Sequence, residues 1–130
     1  MILTYMGNDR PIEFEKGVDY FAFEIDIDLR SSRAVYRVVN SYGEIGCYHT
    51  NQFEMKTNSL EDMMFIENEE LKGYTVRLKS IQELDDVCED VNGVWLAYHD
   101  GNKELEDKIH EILKKQAEKE GFLLEKVVAV

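Results

Sequence analysis

Two cysteines in 130 residues are too few for a disulfide framework. Cys47 and Cys88 stand far apart in apolar-patterned stretches, which predicts reduced, buried thiols in a cytoplasmic protein. No run of about eighteen apolar residues occurs, so no membrane-crossing helix is expected. The opening MILTYMGNDRP lacks a basic stretch followed by a long apolar one and does not read as a leader segment. Three histidines without ligand spacing give no case for zinc. No nucleotide, metal or catalytic signature stands out elsewhere, so no cofactor is expected. Internal repeats, low-complexity tracts and dividing linkers are also missing, which predicts a single domain over residues 1–130. With 44% hydrophobic and 11% aromatic residues, that domain has the material for its own core.

Basic charge is the other scarcity. Fifteen bases face 27 acids, a net charge of -12. Such a surface repels nucleic-acid phosphates and anionic lipid and attracts basic protein surfaces. The expected partner is therefore a basic protein, with no nucleic acid and no membrane; the sequence leaves the oligomeric state open. The imbalance is local, because residues 61–90 alone hold ten acids and three bases.

What is present is a strong strand signal. In Val18–Leu29, Phe21, Phe23, Ile25, Ile27 and Leu29 fall on odd positions and Ala22, Glu24, Asp26 and Asp28 on even ones. Strand side chains alternate faces, so this predicts a strand with one apolar face on the core and one acidic face toward water. The tetrad Arg30-Ser31-Ser32-Arg33 turns into Ala34–Tyr42, and Gly43–Gly46 turns into Cys47–Phe53, giving an antiparallel meander. Met1–Met6 predicts a further short strand before the turn formers Gly7–Pro11. Ser59–Lys72 fits either a helix or a hairpin arm; we expect a short helical or irregular start followed by extended chain. Tyr74–Leu78 reads as a strand. Ser80 and Glu83 have the spacing of a capping box, opening a helix from Ile81 to about Val91. Val94–Tyr98 predicts a covered strand, Lys103–Glu120 the longest helix, and Phe122–Val130 a terminal strand paired inside the sheet. The fold class expected is α+β: a single-layer mixed, mostly antiparallel sheet with an N-terminal meander and two helices packed on one face.

The helices differ in charge pattern. In Lys103–Glu120 acids and bases alternate at four-residue spacing, as in Glu104 with Lys108 and Glu111 with Lys115, an ordinary solvated face. In Ile81–Val91 the polar positions are Gln82, Glu83, Asp85, Asp86, Glu89 and Asp90, with no base among them. Like charges four apart each cost on the order of 0.2–0.5 kcal/mol, and Glu89 and Asp90 oppose the helix dipole at its C-terminal end. A local rule broken without local compensation points to function; the plain alternative is screening by Arg77 or Lys79. Glu67, Glu69 and Glu70 extend the patch if their loop folds toward this helix. Glu24, Asp26 and Asp28 lie two apart along a strand, about 6.6 Å per step, too far to share one cation.

His99-Asp100 is the most enzyme-like pair, a histidine leaving a strand into a loop, but Asp100 and Asn102 also suit capping of the next helix. Tyr48, His49 and Cys47 offer a further set of reactive side chains. The function expected is that of an acidic protein-binding inhibitor, of the immunity or antitoxin kind, that masks the active site of a basic, nuclease-like toxin rather than acting as an enzyme. Its expected partner-binding residues are Glu67, Glu69, Glu70, Glu83, Asp85, Asp86, Glu89 and Asp90. The alternatives are a small enzyme or ligand-binding domain with a pocket near His99 and Asp100, or a structural subunit of a larger assembly.

Overall fold

The computed structural model describes residues 1–8, 13–57, 60–69, 72–87, 101–125 and 127. These form seven strands, β1 (Ile2–Tyr5), β2 (Asp19–Asp28), β3 (Arg33–Val39), β4 (Ile45–His49), β5 (Phe53–Thr57), β6 (Met63–Asn68) and β7 (Gly73–Leu78), and two helices, α1 (Lys79–Val87) and α2 (Lys103–Lys119). Every described strand pairing is antiparallel. The architecture is the α+β meander that alternation and turn chemistry predict. Ser59–Lys72 resolves into a 3-10 turn over Leu60–Asp62 and then β6, extended chain as expected.

β2 is the spine. Its ten residues carry β3 along one side, while the other side is shared by two neighbours end to end. β1 pairs with Asp19–Phe21 and β7 with Glu24–Asp28. β4 extends the sheet beyond β3, β5 beyond β1, and β6 beyond β7.

Where the two neighbours of β2 meet, its register against β3 slips by one residue between Ala22 and Glu24. Phe21 sits opposite Val39 and Glu24 opposite Arg37, two residues apart on β3, so Phe21 and Glu24 share a face. Simple alternation puts Phe21 with Ile25 and exposes Glu24. The bulge overturns both expectations, and Glu24 is fully buried.

The path β4-β3-β2-β1-β5 cannot lie flat. Four gaps of ~4.8 Å would put β4 about 19 Å from β5, yet only the three residues Thr50–Gln52 join them, a reach of about 14 Å over four Cα steps. The sheet therefore rolls, and its inner face closes on Phe14. That ring stacks on Tyr5 at 5.0 Å and meets Tyr20, Tyr48 and Phe53 edge-on at 4.9, 4.5 and 5.3 Å. Such offset and edge contacts add about 0.5–1.5 kcal/mol each beyond area burial.

The helices cover the opposite face at the Phe21 end. Phe21 meets Phe122, just past α2, at 6.3 Å, and Arg77 of β7 reaches Gln82 and Asp85 of α1. α2 buries Leu105, Ile109, Leu113, Gln116 and Ala117 along one stripe and is capped by Asn102, whose side chain accepts from the Leu105 N–H at 3.3 Å. α1 buries Ile81 and starts at Lys79, so Ser80 lies inside its first turn instead of capping it. Residues 122–125 form no strand, correcting the first part of the expected terminal one, while 126 and 128–130 lie outside the described residues; Leu124 and Val127 are buried against the core. Val94–Tyr98 and Cys88 lie outside the described residues, whereas Cys47 is exposed on β4, not buried. Neither described helix is long and apolar enough to cross a membrane.

Lys72 enters β7 at φ 46°, a left-handed conformation. A side chain there costs about 1–2 kcal/mol relative to glycine before chain entropy is counted. Lys72→Gly is expected to raise the unfolding free energy by roughly 0.5–1 kcal/mol, read as a higher urea midpoint at unchanged slope. A lower midpoint would contradict this.

Candidate functional site

α1 follows β7 without a break, so the strand fixes where the helix's acids sit. Glu83 and Asp86 are exposed; Asp86 accepts from Gln82 Nε2 at 2.9 Å. Neither has an ion-pair partner among the described residues. Asp85 differs, because its Oδ2 lies 3.4 Å from Arg77 Nη1, which also donates to Gln82 at 2.8 Å. Arg77 thus screens one of the predicted acids, while Lys79 turns away and donates to the Glu61 carbonyl at 2.9 Å. α2 is neutralised along its length by Lys108–Glu104 at 3.5 Å and Lys115–Glu111 at 3.1 Å. Glu89 and Asp90 lie outside the described residues.

Beneath Asp85 the sheet holds a buried charge row. Glu24 is opposite Arg37 of β3 on one side and Arg77 of β7 on the other, and each guanidinium donates through Nε to one carboxylate oxygen. Asp26 adds a longer contact to Arg37 at 3.9 Å and accepts from the Thr75 hydroxyl at 2.7 Å. Burial pushes the Glu24 carboxyl up from its ordinary range, against the pull of the Arg77 and Arg37 guanidinium groups. The row is a structural tie between β3, β2, β7 and α1.

No protein-family profile, curated protein or solved structure matches this chain. Any assignment of function therefore rests on the chain's own geometry.

Glu67 and Glu69 are both exposed but sit apart from α1. Register places Met63 beside Leu78, where α1 begins, and Asn68 beside Gly73 at the hairpin's other end. There Glu67 and Glu69 join Leu29, Lys72 and Tyr74 around an open cleft of about 260 Å³. Phe65, 66% exposed, lies against Tyr74 at 4.8 Å, and Leu29 is 58% exposed. The expected single patch is thus two surfaces: the exposed acids of α1, and an acid-rimmed apolar corner at the hairpin end. Glu70 lies outside the described residues.

Of the residues offered for a catalytic pocket, His99 and Asp100 lie outside the described residues. Tyr48 and His49 are neighbours on β4 and face opposite ways. Tyr48 points into the aromatic core, accepting from Asn40 Nδ2 at 3.3 Å, and His49 is exposed. Cys47, exposed as a residue but with a thiol partly desolvated opposite Arg37, has that thiol pushed up, the wrong direction for a nucleophile. Among the described residues no group of three or more His, Cys, Asp or Glu side chains is placed to hold a metal ion. The buried Arg37–Glu24–Arg77 row escaped sequence reading, whose only cue was an acid in a strand flanked elsewhere by lone arginines.

Proposed function

We propose that this protein is an acidic protein-binding inhibitor, of the immunity or antitoxin kind, acting in the cytoplasm on a basic, nuclease-like toxin whose active site it masks. The observation that carries this reading is the contrast between the helices: α2 pairs four of its five acids with lysines, while Glu83 and Asp86 of α1 stand exposed with no cation from the described residues. Unscreened carboxylates on a chain of net charge -12 raise the encounter rate with a cationic surface. Leu29, which lines a cleft with Glu67 and Glu69, and Phe65, which lies against Tyr74 of that cleft, add an apolar anchor beside acids, the composition of an interface centre with a polar rim.

The test has two stages. The immobilised chain captures partners from its source cells at low salt, and a salt gradient releases them. The purified partner is then mixed with wild-type chain and with the Glu83→Lys/Asp86→Lys double variant in stopped flow. The expected result is a stoichiometric basic partner whose nuclease activity is abolished. Its association with the variant should be about 10–100-fold slower at low salt, with a flatter salt dependence. Equal association rates for the two proteins would overturn the role of α1, and a partner without basic charge would overturn the proposal as a whole.

A further inference from the structure

Where the β2–β3 turn approaches the end of β4, Ser32, Arg33 and Ala34 face His49, Thr50 and Asn51 across an open cleft of about 300 Å³. It shares no residue with the acidic surfaces. His49 lies opposite Val35, and Arg33 is two residues before Val35 on the same strand. Arg33 and His49 are therefore diagonal neighbours on one sheet face, with side chains rooted about 7–8 Å apart. Ser32 and Thr50 bring hydroxyls, Asn51 an amide, and among the described residues no carboxylate lines the cleft.

Arg33 is paired differently from the other described arginines. Arg30, Arg37 and Arg77 are all paired with carboxylates. Arg33 has no ion-pair partner among the described residues, although acids outnumber bases 27 to 15. The obvious candidate, Asp28, is opposite Arg33 in register but is committed to the turn. It accepts the Arg30 backbone N–H at 2.9 Å and lies 3.7 Å from Arg30 Nε, and that backbone hydrogen bond holds its carboxyl below the usual range. A planar donor fork is thus left open beside an imidazole, two hydroxyls and an amide.

We propose that this cleft binds a phosphate group. Donors converging from the two sides of a cleft suit a tetrahedral dianion with several acceptor oxygens better than a two-oxygen carboxylate. The space takes the group with a short organic residue, at the small end of ligand clefts. Free phosphate and a small phosphate monoester share this chemistry.

The test is a titration of the isotope-labelled full chain by ¹H–¹⁵N spectroscopy at constant pH and ionic strength, with inorganic phosphate, glycerol 1-phosphate and acetate in separate arms. Saturable shifts at the amides of 32–34 and 49–51 with the phosphates but not with acetate are expected. Arg33→Gln should weaken them about tenfold or more. Tighter binding of the ester marks a small organic phosphate as the ligand, and equal binding marks free phosphate. No saturable shift with either phosphate, equal saturation by acetate, or undiminished affinity in Arg33→Gln would each overturn the site. Should that variant lose its dispersed spectrum, Asn51→Ala is held to the same criterion of weakened phosphate binding.

Discussion

Glu24→Leu is expected to cost about 3–5 kcal/mol of unfolding free energy. The carboxylate is fully buried and holds Arg37 and Arg77, whose side chains are 23% and 14% exposed. Removing it leaves two like charges side by side in a poorly hydrated row, and guanidinium groups cannot relieve this by losing protons. Gln82 and Asp85 still engage Arg77, and Asp26 still approaches Arg37, which favours the lower part of the range. Urea unfolding measures the loss. The companion triple variant Glu24→Leu/Arg37→Met/Arg77→Met is expected to recover most of it, because a well-packed apolar row replaces the charges without stranding any. A loss below about 1 kcal/mol in the single variant would mean that solvent or other acids neutralise both arginines, and that the row does not fasten the sheet.

The same row shows what sequence alone could reveal. The meander was legible because period-two alternation and turn-forming residues are local signals. Helix α2 was legible for the same reason, down to its Asn102 cap. The burial of Glu24 was not, since its counter-charges lie 13 and 53 residues away and are brought together only by pairing β2 with β3 and β7. Nor was the bulge at Ala22–Glu24, because a slip in register is defined by the partner strand and leaves no mark in the alternation of the bulged one.

The candidate surface was legible to a similar depth. An acid-only helix after Leu78 can be read from composition; that Arg77 screens Asp85 but leaves Glu83 and Asp86 alone depends on which way one side chain turns. Sequence proximity grouped Glu67 and Glu69 with α1, and antiparallel register separated them, since a hairpin sends residues close in sequence to opposite ends. The Arg33–His49 cleft unites two segments that are unremarkable apart. Its cue, an arginine with no ion-pair partner among the described residues, appears only once the strands are paired.

Gly73→Ala is expected to cost about 3 kcal/mol or more. A Cβ on Gly73 would stand 1.8 Å from the Ile27 carbonyl oxygen and 2.9 Å from its carbon. Overpacking costs about 1–3 kcal/mol where side chains can yield, but here the obstacle is the backbone of the central strand. Relief requires β7 to draw away from β2 at Asp28, where Gly73 is paired. Gly17→Ala is the control: its φ of 83° disfavours a side chain, but nothing lies within 4 Å. That variant should lose only about 1–2 kcal/mol. Amide exchange over Tyr74–Leu78 should accelerate in Gly73→Ala and stay unchanged in Gly17→Ala beyond the global loss. Because β7 carries Arg77 and runs directly into α1, loosening it detaches a partner of Glu24 and displaces Glu83 and Asp86 together. Under the proposed function, Gly73→Ala is therefore expected to weaken capture of the proposed basic partner even where the chain remains folded, while Gly17→Ala leaves capture intact. Gly73→Ala within about 1 kcal/mol of wild type, with normal exchange in β7, would show that the β2–β7 contact can yield.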